Sequence, residues 1–405
     1  MHNVRRTEHA FFTLEDDYVL DPVSLLQGIA PAPAARARIV ALAVLTGERH
    51  RIAQEDWDAL ASIPTDAWVA EDRYDPGVIR GLLEKGLIVS DCDEPRCREL
   101  RERDEALTGT AWHPYAGLYH FATRWSGIDI RDGIDGEEDL AALTAAAVRD
   151  LVAEHGPPPP ELPHVEAAQT VSLPGRIRTE PIYRTLTERR TTRVFDLERP
   201  MALDDLDAVL RYVFGCHGYA SRVEGVVCIK RTSPSGGGLH PITAYPIVTN
   251  VEGVPPGVYH YNAGDHSLAL IYDLSAEEAR ELATQFVCGQ EYFAAAHVSF
   301  VLAARFYRNH WKYRRHPRAY AGMLVDAGHL SQTLYLVAAE LGLGAYVTMA
   351  INGRDIETRL ELDGVETGAI AVCGCGPRAA RPSPLEPRFS VRPPGGHSVS
   401  AASAR

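Results

Sequence analysis

Tyr320, Met323, Leu324, Ala327, Leu330, Leu334, Val337 and Leu341 recur largely at steps of three and four. That period puts them on one face of a helix and predicts a long core helix. Residues 298–306 are nearly all apolar, which predicts a central strand buried on both faces. Residues 203–214 read as an amphipathic helix with Asp204 and Asp205 in its first turn, where the helix dipole favours anions. Strands are expected over 244–249, 258–261, 268–272, 345–349 and 369–373. Asn262-Ala263-Gly264-Asp265-His266 joins two of these as a hairpin signal. The second half of the chain is therefore α+β, a mixed sheet flanked by helices.

The first half reads differently. Ala37, Ile39, Leu42 and Leu45 fit one helical face, and Val78, Leu82 and Leu83 fit another. Gly86 ends the second helix before the short apolar strand Leu87-Ile88-Val89. This order is winged-helix-like. Residues 97–155 are expected to be mainly helical, with Leu140, Leu143, Ala147 and Leu151 marking a stripe. Gly156 and the prolines 157–160, extended by Leu162-Pro163, cannot continue a helix and predict a stiff, extended connector. The organisation expected is a mainly helical, winged-helix-like N-terminal domain over 1–110 and a helical connector with a Pro-rich linker over 111–163. The α+β domain follows over 164–380, then a flexible tail over 381–405. The aromatic stretch 112–125 is a candidate to pack on the α+β domain. No internal repeat is evident.

Composition narrows the function classes. A net charge of −13 over 405 residues argues against broad nucleic-acid binding, which needs a basic face. Seven cysteines give no disulfide framework. The start of the chain lacks the apolar core of a signal peptide, and no apolar run reaches membrane-span length, so a reducing cytoplasm is the expected address. Cys373 and Cys375 read as small buried side chains on one strand face. Cys92 and Cys97 flank Asp93-Glu94-Pro95-Arg96 with no second Cys or His pair at zinc spacing, so no metal is expected.

Local basic and glycine-rich clusters then need local reasons. Arg189, Arg190 and Arg193, with Thr191 and Thr192 between them, can grip a phosphate through planar guanidinium forks; a solvated basic turn has the same composition. Ser233-Pro234-Ser235-Gly236-Gly237-Gly238 lets backbone approach a flat ring or an anion closely, and equally suits a plain turn. It fits neither the P-loop nor the dinucleotide fingerprint. Lys312 and Tyr313 follow the apolar strand; a polar loop explains them, and so does acid–base work. Leu341-Gly342-Leu343-Gly344-Ala345 ends the long helix, where glycine supplies a C-terminal cap or a cofactor contact. Arg378 closes the last strand as a candidate late phosphate partner. Arg314, Arg315 and Arg318 border a substrate entrance or solvent.

In order, Arg-Arg-Thr-x-Arg, Pro-Ser-Gly-Gly-x-Leu-His-Pro, Trp-Lys-Tyr, Asp-Ala-Gly-His-Leu-x-Gln-x-Leu-Tyr-Leu and Leu-Gly-Leu-Gly-Ala resemble the nitroreductase superfamily. Within it they resemble the SagB-type peptide-maturation dehydrogenases. The resemblance spans about residues 180–378 and implies an FMN-dependent nitroreductase-like fold, a homodimer and FMN at the subunit interface. It implies that Arg189, Arg190, Thr191 and Arg193 hold the FMN phosphate and polar edges, with Arg378 reaching the phosphate. Pro234, Ser235, Gly236 and Gly237 would line the isoalloxazine ring, from this subunit or the other, with Leu343 and Gly344 offering backbone donors. Thr191 stands where many relatives carry serine, which keeps the hydroxyl. Lys312 and Tyr313 match the Lys-Tyr pair of azoline dehydrogenases. The implied reaction oxidises a thiazoline or oxazoline in a ribosomally made precursor peptide to an azole, with a cyclodehydratase as possible partner and leader-peptide capture as a role for the N-terminal domain. Two rivals remain: an FMN-dependent NAD(P)H reductase of dehydroamino acids or of nitro or quinone compounds, and a non-catalytic scaffold.

Overall fold

The computed structural model describes residues 2–15, 18–19, 32–33, 37–131, 136–159, 167, 169–381 and 383–386. Pro160, Leu162 and Pro163 of the linker, and the tail from 387 onward, lie outside the described residues.

The N-terminal region is built on two small antiparallel sheets. Strands β1 (Asn3–Arg6), β7 (Val69–Ala70) and β8 (Ile88–Ser90) form one, in the order β7-β1-β8. Strands β2 (Ala10–Glu15), β5 (Arg38–Ala43) and β6 (Glu48–Ile52) form the other, and β3 (Tyr18–Val19) pairs with β4 (Ala32–Pro33). Helices α1 (Gln54–Ser62) and α2 (Pro76–Glu84) close over a core of Val4, Ala41, Leu60, Ile79, Leu82 and Ile88. Asp75 starts α2 by accepting from the backbone N–H groups of Gly77 and Val78 at 2.8 and 3.2 Å, with Pro76 in the first turn.

The helical face expected through Ala37, Ile39, Leu42 and Leu45 is corrected, because Arg38–Ala43 is a strand. Its apolar run is too short for periodicity to separate strand from helix. Ladders on both sides, to Phe11 and Phe12 of β2 and to Arg49 and Arg51 of β6, decide the matter.

Helices α3 (Pro95–Gly109), α4 (Pro114–Thr123) and α5 (Gly136–His155) follow. The stripe on α5 forms, but Leu143 and Leu151 are exposed. The aromatic stretch after α3 does pack on the second half. Trp112 is fully buried, its Nε1 donates to the Val365 carbonyl at 2.9 Å, and its ring lies 4.7 Å from Phe306 and 4.8 Å from His310.

The second half begins with α6 (Pro181–Glu188) and α7 (Leu203–Val209), which runs into a π-turn over Leu210–Phe214. The hairpin β9 (Gly218–Val223) and β10 (Val226–Lys230) stands apart. Strands β11 (Ile242–Val248), β12 (Gly257–Asn262), β13 (Ser267–Asp273), β14 (Val298–Arg305), β15 (Leu343–Thr348) and β16 (Thr367–Pro377) form one sheet, ordered β13-β12-β11-β14-β16-β15. Its ladders are antiparallel, and a parallel bridge from Thr191 to Ala345 at the β15 edge makes it mixed. β14 lies inside the sheet, as its apolar run requires. Phe300, Leu302 and Ala304 face one core with Met323, Leu330 and Leu334 of α11 (Ala319–Glu340). Val301 faces a second core with Phe286 of α8 (Ala276–Phe286) and Ile356 of α12 (Gly353–Arg359). Ser275 and Glu278 close a reciprocal capping box at the start of α8. Two short helices, α9 (Glu291–Ala294) and α10 (Phe306–His310), flank β14.

Cys373 and Cys375 are buried on β16, as their alternation implies. The sulfurs of Cys92 and Cys97 and a carboxylate oxygen of Glu94 lie within 4.8 Å of one another. Burial, then neighbouring Cys92, pushes the Cys97 thiol up to about 12. No helix among the described residues is long and apolar enough to cross a membrane.

Candidate active site

The glycine turn is fixed to one flank of α11. Ser235 Oγ donates to Asp326 Oδ2 at 2.5 Å, and the Gly236 N–H donates to Asp326 Oδ1 at 3.1 Å. Ser235 Oγ also accepts from the His240 N–H at 2.9 Å. His329 Nδ1 donates to the Pro234 carbonyl at 3.3 Å, and Ser233 and Thr333 share a hydroxyl bond of 2.6 Å. Asp326, His329 and Thr333 follow helical spacing, so one helix face holds the turn from Ser233 to Gly236.

Above that turn stand Lys312 and Tyr313. Both backbone N–H groups donate to the Asn309 carbonyl, and Asn309 Nδ2 donates to the Ala319 carbonyl at 2.9 Å, which folds the segment back towards α11. Lys312 Nζ donates to the Gly237 carbonyl at 3.3 Å and lies 5.5 Å from the Tyr313 ring centre. Gly237 has φ +63°, and a Cβ there would fall 2.5 Å from Tyr313 Oη and 2.8 Å from Lys312 Nζ. Only glycine allows this approach without displacing the pair. The turn and the pair, separate in sequence, thus meet in space.

A second group gathers at the β15 edge. The Thr192 N–H donates to the Ala345 carbonyl at 2.8 Å, and Thr191 Oγ1 lies 2.9 Å from Tyr335 Oη. The Arg189 guanidinium sits 5.2 Å from the Tyr335 ring centre. A Cβ on Gly344 would fall 2.5 Å from Thr192 Cγ2 and 2.7 Å from Arg378 Cγ, so the bare backbone of Gly344 lets these three meet. Leu343 precedes it, buried on the same strand. Burial first, then the charge of Arg190, lowers the Arg378 pKa; Glu386 opposes them. Thr192 Oγ1 is buried without a hydrogen-bond partner. Crowded guanidiniums, a hydroxyl and an orphaned buried oxygen suit a phosphate. Arg193 points elsewhere: its guanidinium lies over Tyr292 and Phe293, at 5.9 and 5.6 Å. There it lines a cavity of about 1220 Å³ between residues 127–131, α8 and α9, separate from the glycine turn.

No hydrogen bond or ion pair among the described residues joins the two groups. They occupy different sides of α11, since Tyr335 stands roughly 200° around the axis from Thr333. Between them runs an exposed stripe of Ala321, Val325, Gly328 and Gln332.

Sequence reasoning gave no role to Asp326, His329 or Tyr335, although all three stand in the quoted helix motif. The available signal was a buried carboxylate inside an apolar helix, which needs partners. Arg315, expected at an entrance or in solvent, is half exposed and pairs with Glu8.

Residues 186–376 match the Nitroreductase family. The trifolitoxin-processing protein TfxB of Rhizobium leguminosarum bv. trifolii is 26% identical over 300 residues, 72% of this chain and 77% of that protein. A putative nitroreductase of Methanocaldococcus jannaschii is 31% identical over 177 residues, 44% of this chain and 82% of that protein. Among solved structures, the Escherichia coli microcin synthetase McbBCD complex with truncated pro-MccB17 bound aligns with a TM-score of 0.48 at 19% identity, covering 67% of this chain and 95% of that one. With its residues 186–376 matched and a relative covered over most of its length, the chain belongs to the nitroreductase family.

Proposed function

We propose that this chain is a SagB-type, FMN-dependent dehydrogenase that oxidises thiazoline or oxazoline rings of a ribosomally made precursor peptide to azoles. The observation that carries this reading is the Lys312–Tyr313 pair held against the bare backbone of Gly237. Family membership supports an oxidoreductase, and similarity to a trifolitoxin-processing protein supports a peptide substrate.

The reaction removes two hydrogens from the ring. The ring C–H is a weak carbon acid, so a base must stand at that carbon. Lys312 or Tyr313 takes the proton, and the other member sets its basicity. FMN, when bound, supplies the two-electron acceptor, and oxygen takes the electrons onward as peroxide. Arg189, Arg190, Thr191 and Arg378 would hold its phosphate, whereas the Arg193 guanidinium lies over Tyr292 and Phe293. Pro234, Ser235, Gly236 and Gly237 would border its ring, with Leu343 and Gly344 offering backbone donors.

A homodimer completes the site in this reading. The exposed stripe on α11 lies between the two groups, and a Cβ on Gly328 would meet nothing within 4 Å. A second copy packed there brings its glycine turn towards this chain's arginines. The N-terminal region, with its small antiparallel sheets, would capture the leader peptide as an added strand. A cyclodehydratase would supply the azoline. Seven free cysteines fit a reducing cytoplasm.

The test is a mass spectrum of a thiazoline-bearing precursor peptide after aerobic incubation with FMN-loaded protein. Loss of two hydrogens with peroxide formed supports the reading. An unchanged leader-bearing peptide, together with NAD(P)H-driven reduction of a quinone or nitro compound, sinks it in favour of a reductase.

A further inference from the structure

The segment that carries Lys312 and Tyr313 is held at both of its ends from outside its own half of the chain as well as from within it. Arg315 grips Glu8 with both terminal nitrogens, at 2.5 and 3.2 Å, across 307 residues of sequence. Its backbone N–H donates to the Ala111 carbonyl at 3.1 Å. Both partners of that bond are left-handed, with φ +48° at Arg315 and +55° at Ala111. Non-glycine residues stay there only where the surroundings hold them. One turn earlier, His310 Nδ1 donates to the Thr110 carbonyl at 3.2 Å, and its ring meets Trp112 edge-on at 4.8 Å. Four contacts, from Glu8, Thr110, Ala111 and Trp112, therefore bracket Lys312 and Tyr313 on both sides.

We propose that the N-terminal region is a positioning element for the Lys312–Tyr313 segment, and that the Glu8–Arg315 ion pair is its joint. The inference rests on the proposed role of Lys312 and Tyr313, and it adds a regulatory route. Glu8 lies two residues before β2 begins, so a displacement of that sheet, such as peptide capture there, reaches the pair through Arg315. The ion pair is half exposed and contributes little to global stability. Its use is geometric, because a bidentate guanidinium–carboxylate contact fixes direction as well as distance.

The test uses full-length, flavin-loaded protein in three forms: wild type, Glu8→Gln, and the charge exchange Glu8→Arg with Arg315→Glu. Amide hydrogen exchange across residues 308–316 reads the joint without any assumption about substrate. Glu8→Gln is expected to speed exchange there about tenfold, leave 319–340 unchanged, and lower kcat on a thiazoline peptide by about tenfold at unaltered KM and flavin content. The charge exchange is expected to restore both. Unaltered exchange over 308–316 in Glu8→Gln would overturn the joint whatever reaction the protein performs. Faster exchange with unaltered kcat, or a kcat loss that merely follows flavin loss, would overturn positioning. Faster exchange in a protein whose wild type oxidises no azoline would keep the joint and sink the proposed reaction.

Discussion

Ser235 and Asp326, 91 residues apart, are joined by a 2.5 Å hydrogen bond that ties the glycine turn to the long core helix. The same carboxylate takes the Gly236 N–H, so one buried side chain sets two adjacent residues of the turn. Removing it breaks both bonds, at roughly 1–2 kcal/mol in all, because Ser235 is half-buried and Gly236 exposed and water can take the carboxylate's place. Asp326→Ala is expected to bind FMN several-fold more weakly and to melt a few degrees lower, whereas Asp326→Asn, which keeps one acceptor oxygen, falls between. Flavin absorbance per protein after gel filtration checks this, and full retention in Asp326→Ala would refute the anchoring role.

Gly237→Ala tests the close approach directly. The new Cβ collides with Tyr313 Oη and Lys312 Nζ, and the backbone is left-handed. Turnover is expected to fall by roughly a hundredfold, the scale of a misplaced catalytic group, with most of the fold intact by circular dichroism. Lys312→Ala and Tyr313→Phe should each keep flavin and lose turnover. Activity persisting in both would remove the pair from the mechanism.

The arginines are expected to separate. Arg190→Ala with Arg378→Ala takes away the crowded pair near Thr192 and should yield colourless protein. Arg193, placed over Tyr292 and Phe293, should matter less. Equal flavin loss in Arg193→Ala and in the double variant would reverse this order.

Val325 is 57% exposed on the stripe between the two groups. Val325→Arg, a surface change in one chain, should fold normally yet give a monomer that has lost flavin. Light scattering and absorbance on the same sample test both points, and a flavin-loaded monomer would show that one chain completes the site alone.

Buried histidines set an acid limit. Burial pushes His310 down to about 4, and it also lowers His9 and His120, so these rings stay neutral in the fold. A folded-state pKa below the unfolded value of 6.5 means that the unfolded chain binds more protons. Stability is therefore present above pH 6.5 and is lost as pH falls towards 4. For His310 alone the shift amounts to roughly 3 kcal/mol. Melting temperature should drop across that window, less steeply in His310→Gln; parallel curves would deny His310 its share.

Much of the fold was legible locally. The three-and-four spacing from Tyr320 to Leu341 produced α11, because a helix buried along one side must repeat at that period. The apolar run at 298–306 produced an interior strand, and the turn residues at 262–266 produced a hairpin. Residues 38–43 were not legible, since six half-apolar residues suit either period until neighbouring strands supply the ladder. The site divides the same way. Lys312, Tyr313 and the glycine turn stand out by residue type, because backbone approach needs glycine and proton transfer needs titratable groups. Asp326 and Tyr335 do not, being single polar residues inside an apolar helix whose role depends on which loop lands against them. Glu8 and Arg315 lie 307 residues apart, and charge alone names no partner. Sequence determined the elements and the chemical types; only tertiary packing decided which groups face one another, because contact across such separations is a property of the assembled core.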